Sequence, residues 1–553
     1  MARTEVLIAG AGPTGLVLAI WLKRLGVSVR IVDRAAKPGT TSRALAVQAR
    51  TLELYDQIGL AKEAVKRGLK FAGVNLWANG AKAVRIPLGD IGEGLSPFPY
   101  VLILPQDEHE RMLTDRLRAL GVEVERPVEL LGVEAIEGGV RARLKRPGGS
   151  EEICESAYLA GCDGARSAVR ESLGIGFHGG TYDQLFYVAD VKSTGPVMDR
   201  ELHIALDQSE FLGVFPLKPV GAARLIGMVP RELRGAPETA GWADVSRRVL
   251  ERMKIEVQQV NWFSTYHVHH RVAERFREGR IFLLGDAAHI HSPVGGQGMN
   301  TGIGDAVNLG WKLAAVVQGR ADEALLDSYN PERIAFAHRL VQTTDRVFTI
   351  ATSSAPLVRG LREQIAARLV PAVAHARIAR LFLFKTVSQI GVNYRKGPLA
   401  QGGAGRIVGG DRLPWAGPDS GPAGGDNFTP LASLDWQVHV YGEPSLELEE
   451  ACAALNLALR AFIWRPAFWR AGLMRDASYL IRPDGYVAMA DPNASPQTLR
   501  RFMGTLAFQM RVEPAASPAK AARKPAPRKR SVKTAGRPKP TRARTKSPPK
   551  GSA

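Results

Sequence analysis

Residues 5–33 read EVLIAGAGPTGLVLAIWLKRLGVSVRIVD, and this stretch restricts the fold more than any other. An apolar run ends at Gly10. A glycine-rich turn, an apolar segment of helix length and a second apolar run ending on Asp33 follow. Strand, turn, helix and strand in that order form a βαβ unit, which requires a parallel sheet. Gly10-Ala11-Gly12-Pro13-Thr14-Gly15 fits GxGxxG. The first glycine permits the tight turn, the second lets backbone approach a pyrophosphate, and the third lets helix and strand pack closely. Asp33, with Arg34 beside it, stands where an acid receives ribose hydroxyls. The unit predicts a dinucleotide site built from Gly10, Gly12, Pro13, Thr14, Gly15, Asp33 and Arg34. It does not distinguish NAD from FAD.

A second nucleotide-type pattern lies far along the chain, in RIFLLGDAAHIHSPVGGQGMNTGIGDAVNLGWKL from Arg280 to Leu313. The run IFLL ends at Gly285-Asp286, a glycine-rich loop follows, and helical periodicity starts near Gly298. The acid can take hydroxyls, and the helix start can take negative charge. His289 and His291 sit beside the acid, but they do not form HExxH, so packing roles are read for them and no metal site is expected.

The chain has 553 residues, 45% of them hydrophobic, enough for several domains and a large core. No apolar run reaches the roughly 18 residues of a membrane span, and the first residues lack a signal-peptide series. The three cysteines, Cys154, Cys162 and Cys452, show no CxxC spacing, so a reducing, cytoplasmic setting is expected. Of the net charge of +20, residues 513–553 carry +12, in a segment of Pro, Ala, Lys and Arg with no aromatic residue. Such a tail cannot bury a core, and disorder is predicted for it. It fits an arm for nucleic acid or an anionic surface, or a solvated extension; composition favours the extension, and a nucleic-acid partner is not expected.

Between the two patterns the chain alternates. Residues 106–121 read as an amphipathic helix, 122–147 as a strand meander, and 201–230 as antiparallel strands. Helical periodicity dominates from Asn330 to about Lys385. Glycine and proline crowd residues 397–430, as in a linker. From Trp436 strands and helices resume, with a hairpin turning at Pro483-Asp484-Gly485.

GAGPTG with Asp33, Cys162-Asp163-Gly164-Ala165-Arg166-Ser167 with Val169 and Arg170, and Gly285-Asp286 with the loop Pro293 to Asn300 follow one another at characteristic spacing. Together they resemble the single-component flavoprotein aromatic hydroxylases, the group that includes 4-hydroxybenzoate and phenol hydroxylases. The resemblance covers about residues 1 to 350. The end of the chain, with RPDGYVA, resembles the thioredoxin-like domain that many of these enzymes carry, without a CxxC.

The resemblance implies an α/β chain. A Rossmann-like FAD-binding domain would comprise 1–75, 100–180 and 270–350, with an inserted mixed β-sheet substrate domain at 76–99 and 181–269. A helical connection (351–396), a linker (397–435), a thioredoxin-like domain (436–512) and the tail would follow. Asp286 would hold the ribityl chain of FAD. Gly295, Gly296, Gly298, Met299 and Asn300 would wrap the flavin ring, with backbone N–H groups of 298–300 near N1 and O2, where the reduced flavin is anionic. Pro293 would lie where oxygen adds. Arg43 and Gln106 resemble further FAD contacts, Asp163 a residue serving FAD, and Arg166 one serving the NAD(P)H pyrophosphate. Tyr187, His203, Phe211 and Phe215 are the substrate-pocket candidates; no catalytic base is legible.

The implied reaction uses NAD(P)H and O2 to hydroxylate a phenolic ring through a C4a-hydroperoxyflavin, in a protein compatible with a homodimer. No second GxGxxG serves the nicotinamide, which argues against two-dinucleotide-fold reductases. Alternatives are epoxidation or ring modification of a polyketide or drug, or flavin binding without turnover. The halogenase pattern WxWxIP is absent.

Overall fold

The computed structural model describes residues 2–39, 44–70, 72–78, 80–88, 91–207, 210–229, 240–352, 377–417 and 426–505. The first sheet has the strand Ala2–Ala9 in its middle, paired in parallel with Val29–Val32 on one side and Glu151–Gly161 on the other. Ile281–Leu283 continues the parallel set beyond Glu151–Gly161. Strands covered on both faces carry unbroken apolar runs, and Val6, Leu7, Ile8, Leu159, Phe282 and Leu283 are all fully buried. The helix Pro13–Arg24 packs against the helix Gly298–Val317, so the two patterns, far apart in the chain, share one layer.

The second sheet runs in the order His289–Ile290, Glu256–Ala273, Phe177–Thr194, Ala222–Met228, Glu210–Pro216, Leu202–Asp207, Gly73–Ala78, Ala81–Pro87. Side chains alternate across a strand, so register decides which residues share a face. Tyr187 is opposite Gly227, Leu212 is opposite both Gly227 and Ala205, and His203 is opposite Val214. These residues lie on the face that packs under Val249 and Leu250 of the helix Arg247–Arg252. Phe186, Phe211, Phe215, Ile204 and Met228 have the other parity. Phe215 and Ile204 pack against Leu45, Ala46, Val101 and Ile103 of the first domain.

The third sheet has the order Ile407–Val408, Gln401–Ala404, Val487–Asp491, Ser478–Ile481, Gln437–Tyr441, Ala458–Phe462. Residues 401–408, read above as linker, therefore join the sheet, with Gln401 and Gly402 paired to Met489 and Ala490. Edge pairing uses backbone groups alone, so a Gly-rich strand carries no side-chain periodicity by which to find it. The hairpin at Pro483-Asp484-Gly485 forms as expected. It is anchored to the first domain by buried charges. Arg482 donates to both oxygens of Glu332, at 2.7 and 3.1 Å, and Glu332 also receives Lys312 Nζ at 2.8 Å and Asn308 Nδ2 at 2.7 Å. Arg412, also in the C-terminal part, pairs with buried Glu53.

The predicted tail and most of the helical connection lie outside the described residues. Among the described residues no helix is long and apolar enough to cross a membrane.

Candidate functional site

The glycine turn is shaped by close backbone approach. Gly10 has φ +100°, and a Cβ there would lie 2.2 Å from the Cys162 carbonyl oxygen; one at Gly15 would lie 2.0 Å from the Gly10 oxygen. A Cβ at Gly12 would meet nothing within 4 Å, so this glycine faces open space. Gly12 also caps the helix Pro13–Arg24 without a side-chain hydrogen bond, which leaves the first N–H groups for a ligand. Asp33 holds the turn, its Oδ2 accepting from Ala11 N and its Oδ1 from Ala35 N at 2.8 Å each, and Arg126 Nη1 lies 3.0 Å from that same Oδ1. A carboxylate has about four lone-pair sites, so these three contacts leave room for about one hydroxyl, at Oδ2. The adjoining open cleft is lined in part by Gly12, Asp33, Gln106, Glu110 and Arg126. Gln106 donates to Glu110 at 2.8 Å, and burial pushes the Glu110 carboxyl up. Arg34 is exposed beside this cleft. Arg43 lies outside the described residues.

The middle motif joins the other two. Asp163 accepts from Ser167 Oγ at 2.6 Å and Val169 N at 3.1 Å, so its carboxylate orders its own loop; burial raises its pKa. Arg166 is exposed. Buried Arg170 reaches across, donating to Ala287 O at 3.0 Å and Ala165 O at 2.9 Å, and its guanidinium sits 4.0 Å from the Phe177 ring centroid.

Gly285 has φ +58°, and a Cβ there would come within 2.7 Å of Thr14 Oγ1. A Cβ at Gly302 would come within 2.3 Å of the same oxygen. Thr14 is thus wedged between the strand end and the helix Gly298–Val317, and Cβ-bearing residues at 285 and 302 would drive the three segments apart. Asp286 is exposed at this junction. Pro293 is exposed as well, and Gly295 and Gly296 lie in the short 3-10 turn Val294–Gly296 that follows it. The helix start at Gly298 has no side-chain cap. Thr301 N makes the first main-chain bond, to Gln297 O, so the N–H groups of Gly298, Met299 and Asn300 precede the helical ladder.

The Asn300 side chain serves the protein. Its Nδ2 donates to Ala46 O and Gly296 O, and its Oδ1 receives Gln48 N and Thr51 Oγ1, at 2.7–2.9 Å. Met299 Sδ lies 3.3 Å from His109 Nδ1. A Cβ at Gly298 would lie 3.7 Å from His291 Nε2, and burial lowers the His291 pKa to about 4, so it is neutral at pH 7. His289 Nε2 lies 2.7 Å from Asp305. Among the described residues no cluster of three His, Cys, Asp or Glu could hold a metal ion.

The substrate candidates divide between the faces of the second sheet. Phe211 lies with Phe186, ring centroids 6.4 Å apart, and Phe215 abuts Leu45-Ala46, which lead into Gln48 at the flavin-type loop. Tyr187 and His203 lie on the opposite, helix-covered face. Tyr187 stacks on Phe263 at 5.9 Å; His203 is held by Trp77 Nε1 at 3.0 Å and Asp199 at 2.8 Å. Arg126, Gln48, Asp305 and Arg333 escaped the sequence reading because each acts on a partner 20 or more residues away, with no local pattern to mark it.

The open face at Gly12, the exposed carboxylate of Asp286 and the uncapped helix start at Gly298 fit the pyrophosphate, the hydroxyl chain and the anionic ring edge of FAD. The FAD binding domain family matches residues 3–344. Over 348 residues the chain is 40% identical to 6-methylpretetramide 4-monooxygenase of Streptomyces rimosus, an alignment spanning 62% of this chain and 61% of that protein. It is 33% identical over 430 residues to pentachlorophenol 4-monooxygenase of Sphingobium chlorophenolicum, covering 75% of this chain and 76% of that one. The solved anhydrotetracycline hydroxylase of Streptomyces rimosus superposes with TM-score 0.75 at 31% identity, covering 92% of this chain and all of that one. With the three motifs gathered at one cofactor-shaped junction, the chain belongs to the FAD-dependent aromatic hydroxylase family of flavoprotein monooxygenases.

Proposed function

We propose that the protein is an NAD(P)H- and O2-dependent FAD monooxygenase that hydroxylates a phenolic aromatic ring. The observation that carries this reading is the convergence of Gly12, Asp286 and the helix start at Gly298 beside an apolar sheet face. FAD, when bound, supplies the redox and oxygen chemistry. The chain supplies the rest. The helix start at Pro13 takes the pyrophosphate, Asp33 the ribose and Asp286 the ribityl hydroxyls. The N–H groups of Gly298, Met299 and Asn300 receive the charge of the reduced ring, and Asn300 holds that loop through its side chain. Pro293 borders the ring, with Phe211 and Phe215 as substrate wall. Arg166 is assigned to NAD(P)H, and Gln106, with Arg43, to FAD. Tyr187 and His203 stiffen the wall from behind.

A substrate larger than a simple phenol is favoured. The face carrying Phe186, Ile204, Phe211, Phe215 and Met228 crosses four strands and presents apolar side chains, which suits a fused-ring polyketide and keeps water from the reacting centre. The names of relatives that act on pretetramide and anhydrotetracycline support the same reading. The strand order of the C-terminal sheet, with 437–441 flanked by parallel 458–462 and antiparallel 478–481, supports a thioredoxin-like domain; its one cysteine, Cys452, gives it no redox pair.

The purified protein is expected to show the visible absorbance of bound flavin and to consume NADPH faster with polycyclic phenols than without them. A colourless protein that FAD cannot reconstitute would refute the reading, and equal rates with every phenol would refute the substrate class. Removal of residues after Val512 is expected to leave turnover unchanged; a large loss would give the basic tail a role in catalysis.

A further inference from the structure

Asp305 and Arg333 lie away from the exposed faces of the cofactor junction, both buried, yet they join two pieces of it. One Asp305 oxygen receives Gly285 N at 3.0 Å and His289 Nε2 at 2.7 Å. The other receives Arg333 Nε at 2.6 Å. Arg333 Nη2 donates to Thr301 O at 3.0 Å, in the first turn of the helix Gly298–Val317. One ion pair therefore grips both the strand end that carries Asp286 and the helix start that follows the loop. The third donor leaves the junction: Arg333 Nη1 donates to Tyr394 Oη at 2.8 Å. The Tyr394 ring lies 4.4 Å from that of Tyr486, the residue after the RPDG turn, and 5.3 Å from the Arg482 guanidinium. An unbroken line of contacts thus runs from the C-terminal hairpin to Gly285.

We propose that Asp305 and Arg333 are positioning residues for the flavin, and that the RPDG hairpin sets them through Tyr394. The physical reason is geometric. A planar guanidinium with three partners fixed at Nε, Nη1 and Nη2 has no freedom to rotate. Loss of the Tyr394 contact lets it turn, and Gly285 N and Thr301 O shift together. This gives the C-terminal sheet a role in cofactor binding without any cysteine chemistry. The inference rests on the reading of Asp286 and the 298–300 amides as flavin contacts.

Tyr394→Phe removes one oxygen and keeps the ring against Tyr486. It is expected to weaken FAD binding by the apoprotein about tenfold, the scale of one hydrogen bond to a charged group. It is also expected to make the flavin reduction potential more negative, because the helix-start amides no longer meet the anionic ring squarely. Arg333→Lys keeps the charge without the fork and is expected to do the same; if it does not fold, Tyr394→Phe decides alone. Phe468→Leu, a truncation in the separate core of the C-terminal sheet, serves as a control for lost stability. FAD affinity within twofold of the parent, an unchanged potential, or equal changes in Phe468→Leu would each overturn the proposal. Should Asp286→Ala retain FAD, the reading of the flavin site itself fails; should it lose FAD while Tyr394→Phe does not, the inference alone fails.

Discussion

Asp286→Ala is expected to yield a folded protein that purifies largely without flavin. Asp286 is exposed, in the short 3-10 turn Gly285–Ala287 that follows Ile281–Leu283. The cost falls on the ligand. A carboxylate that accepts hydrogen bonds from sugar-type hydroxyls contributes about 1.5–3 kcal/mol, or roughly ten- to a hundredfold in affinity. Titration of the apoprotein with FAD measures that loss, and far-UV circular dichroism of the apo forms checks that the variant is folded. Full flavin occupancy in the variant would remove Asp286 from the site.

Glu332→Gln is expected to have the largest effect on stability of any single change at the seam between the C-terminal sheet and the first domain. Glu332 is wholly buried and answers two cations, Arg482 and Lys312. The amide keeps the shape but leaves Lys312 without its ion-pair partner and Arg482 with Asp484 alone, and breaking a buried pair costs about 3–5 kcal/mol. Most domains have only about 5–15 kcal/mol in hand. Urea midpoints would show it directly.

The same residue predicts an acid limb. Burial alone would raise the carboxyl, but Arg482 and Lys312 overcome it and hold the group at about 2, against 4.5 when unfolded. A depressed carboxyl stabilises fully above its unfolded pKa, and that contribution falls away as the pH drops from about 4.5 towards 2. The parent should lose stability through this window more steeply than Glu332→Gln, which has no proton to take up there. Parallel curves would mean that Glu332 is not ionised in the folded protein.

Much of the cofactor junction was legible because its constraints are local. Gly10 and Gly15 stand where backbone must touch backbone, and only glycine satisfies that contact, so spacing alone reveals it. The RPDG turn was legible for the same reason. The wall of the second sheet was not. Alternation separates Phe186 from Tyr187 and Phe211 from Leu212, but it cannot say which parity faces the cofactor, because that depends on the element that packs on each face. Here the helix Arg247–Arg252 covers one side and Leu45-Ala46 meets the other, so Phe211 and Phe215 fall towards the loop while Tyr187 and His203 do not.

Charged residues inside helices were the least legible. No local pattern marks Asp305, Lys312, Glu332 and Arg333, yet all four are buried. Their burial is tolerable only because partners arrive from distant segments: Gly285 and His289 for Asp305, Arg482 for Glu332. By itself the sequence determined the βαβ unit and its glycine turn, since these rest on steric requirements within a few residues, and its three motifs carried the resemblance to the family. The tertiary structure alone decided which sheet face meets Leu45-Ala46 and which partners the buried charges of Asp305 and Arg333 find, since desolvation makes each charge depend on a partner that only the folded chain brings within reach.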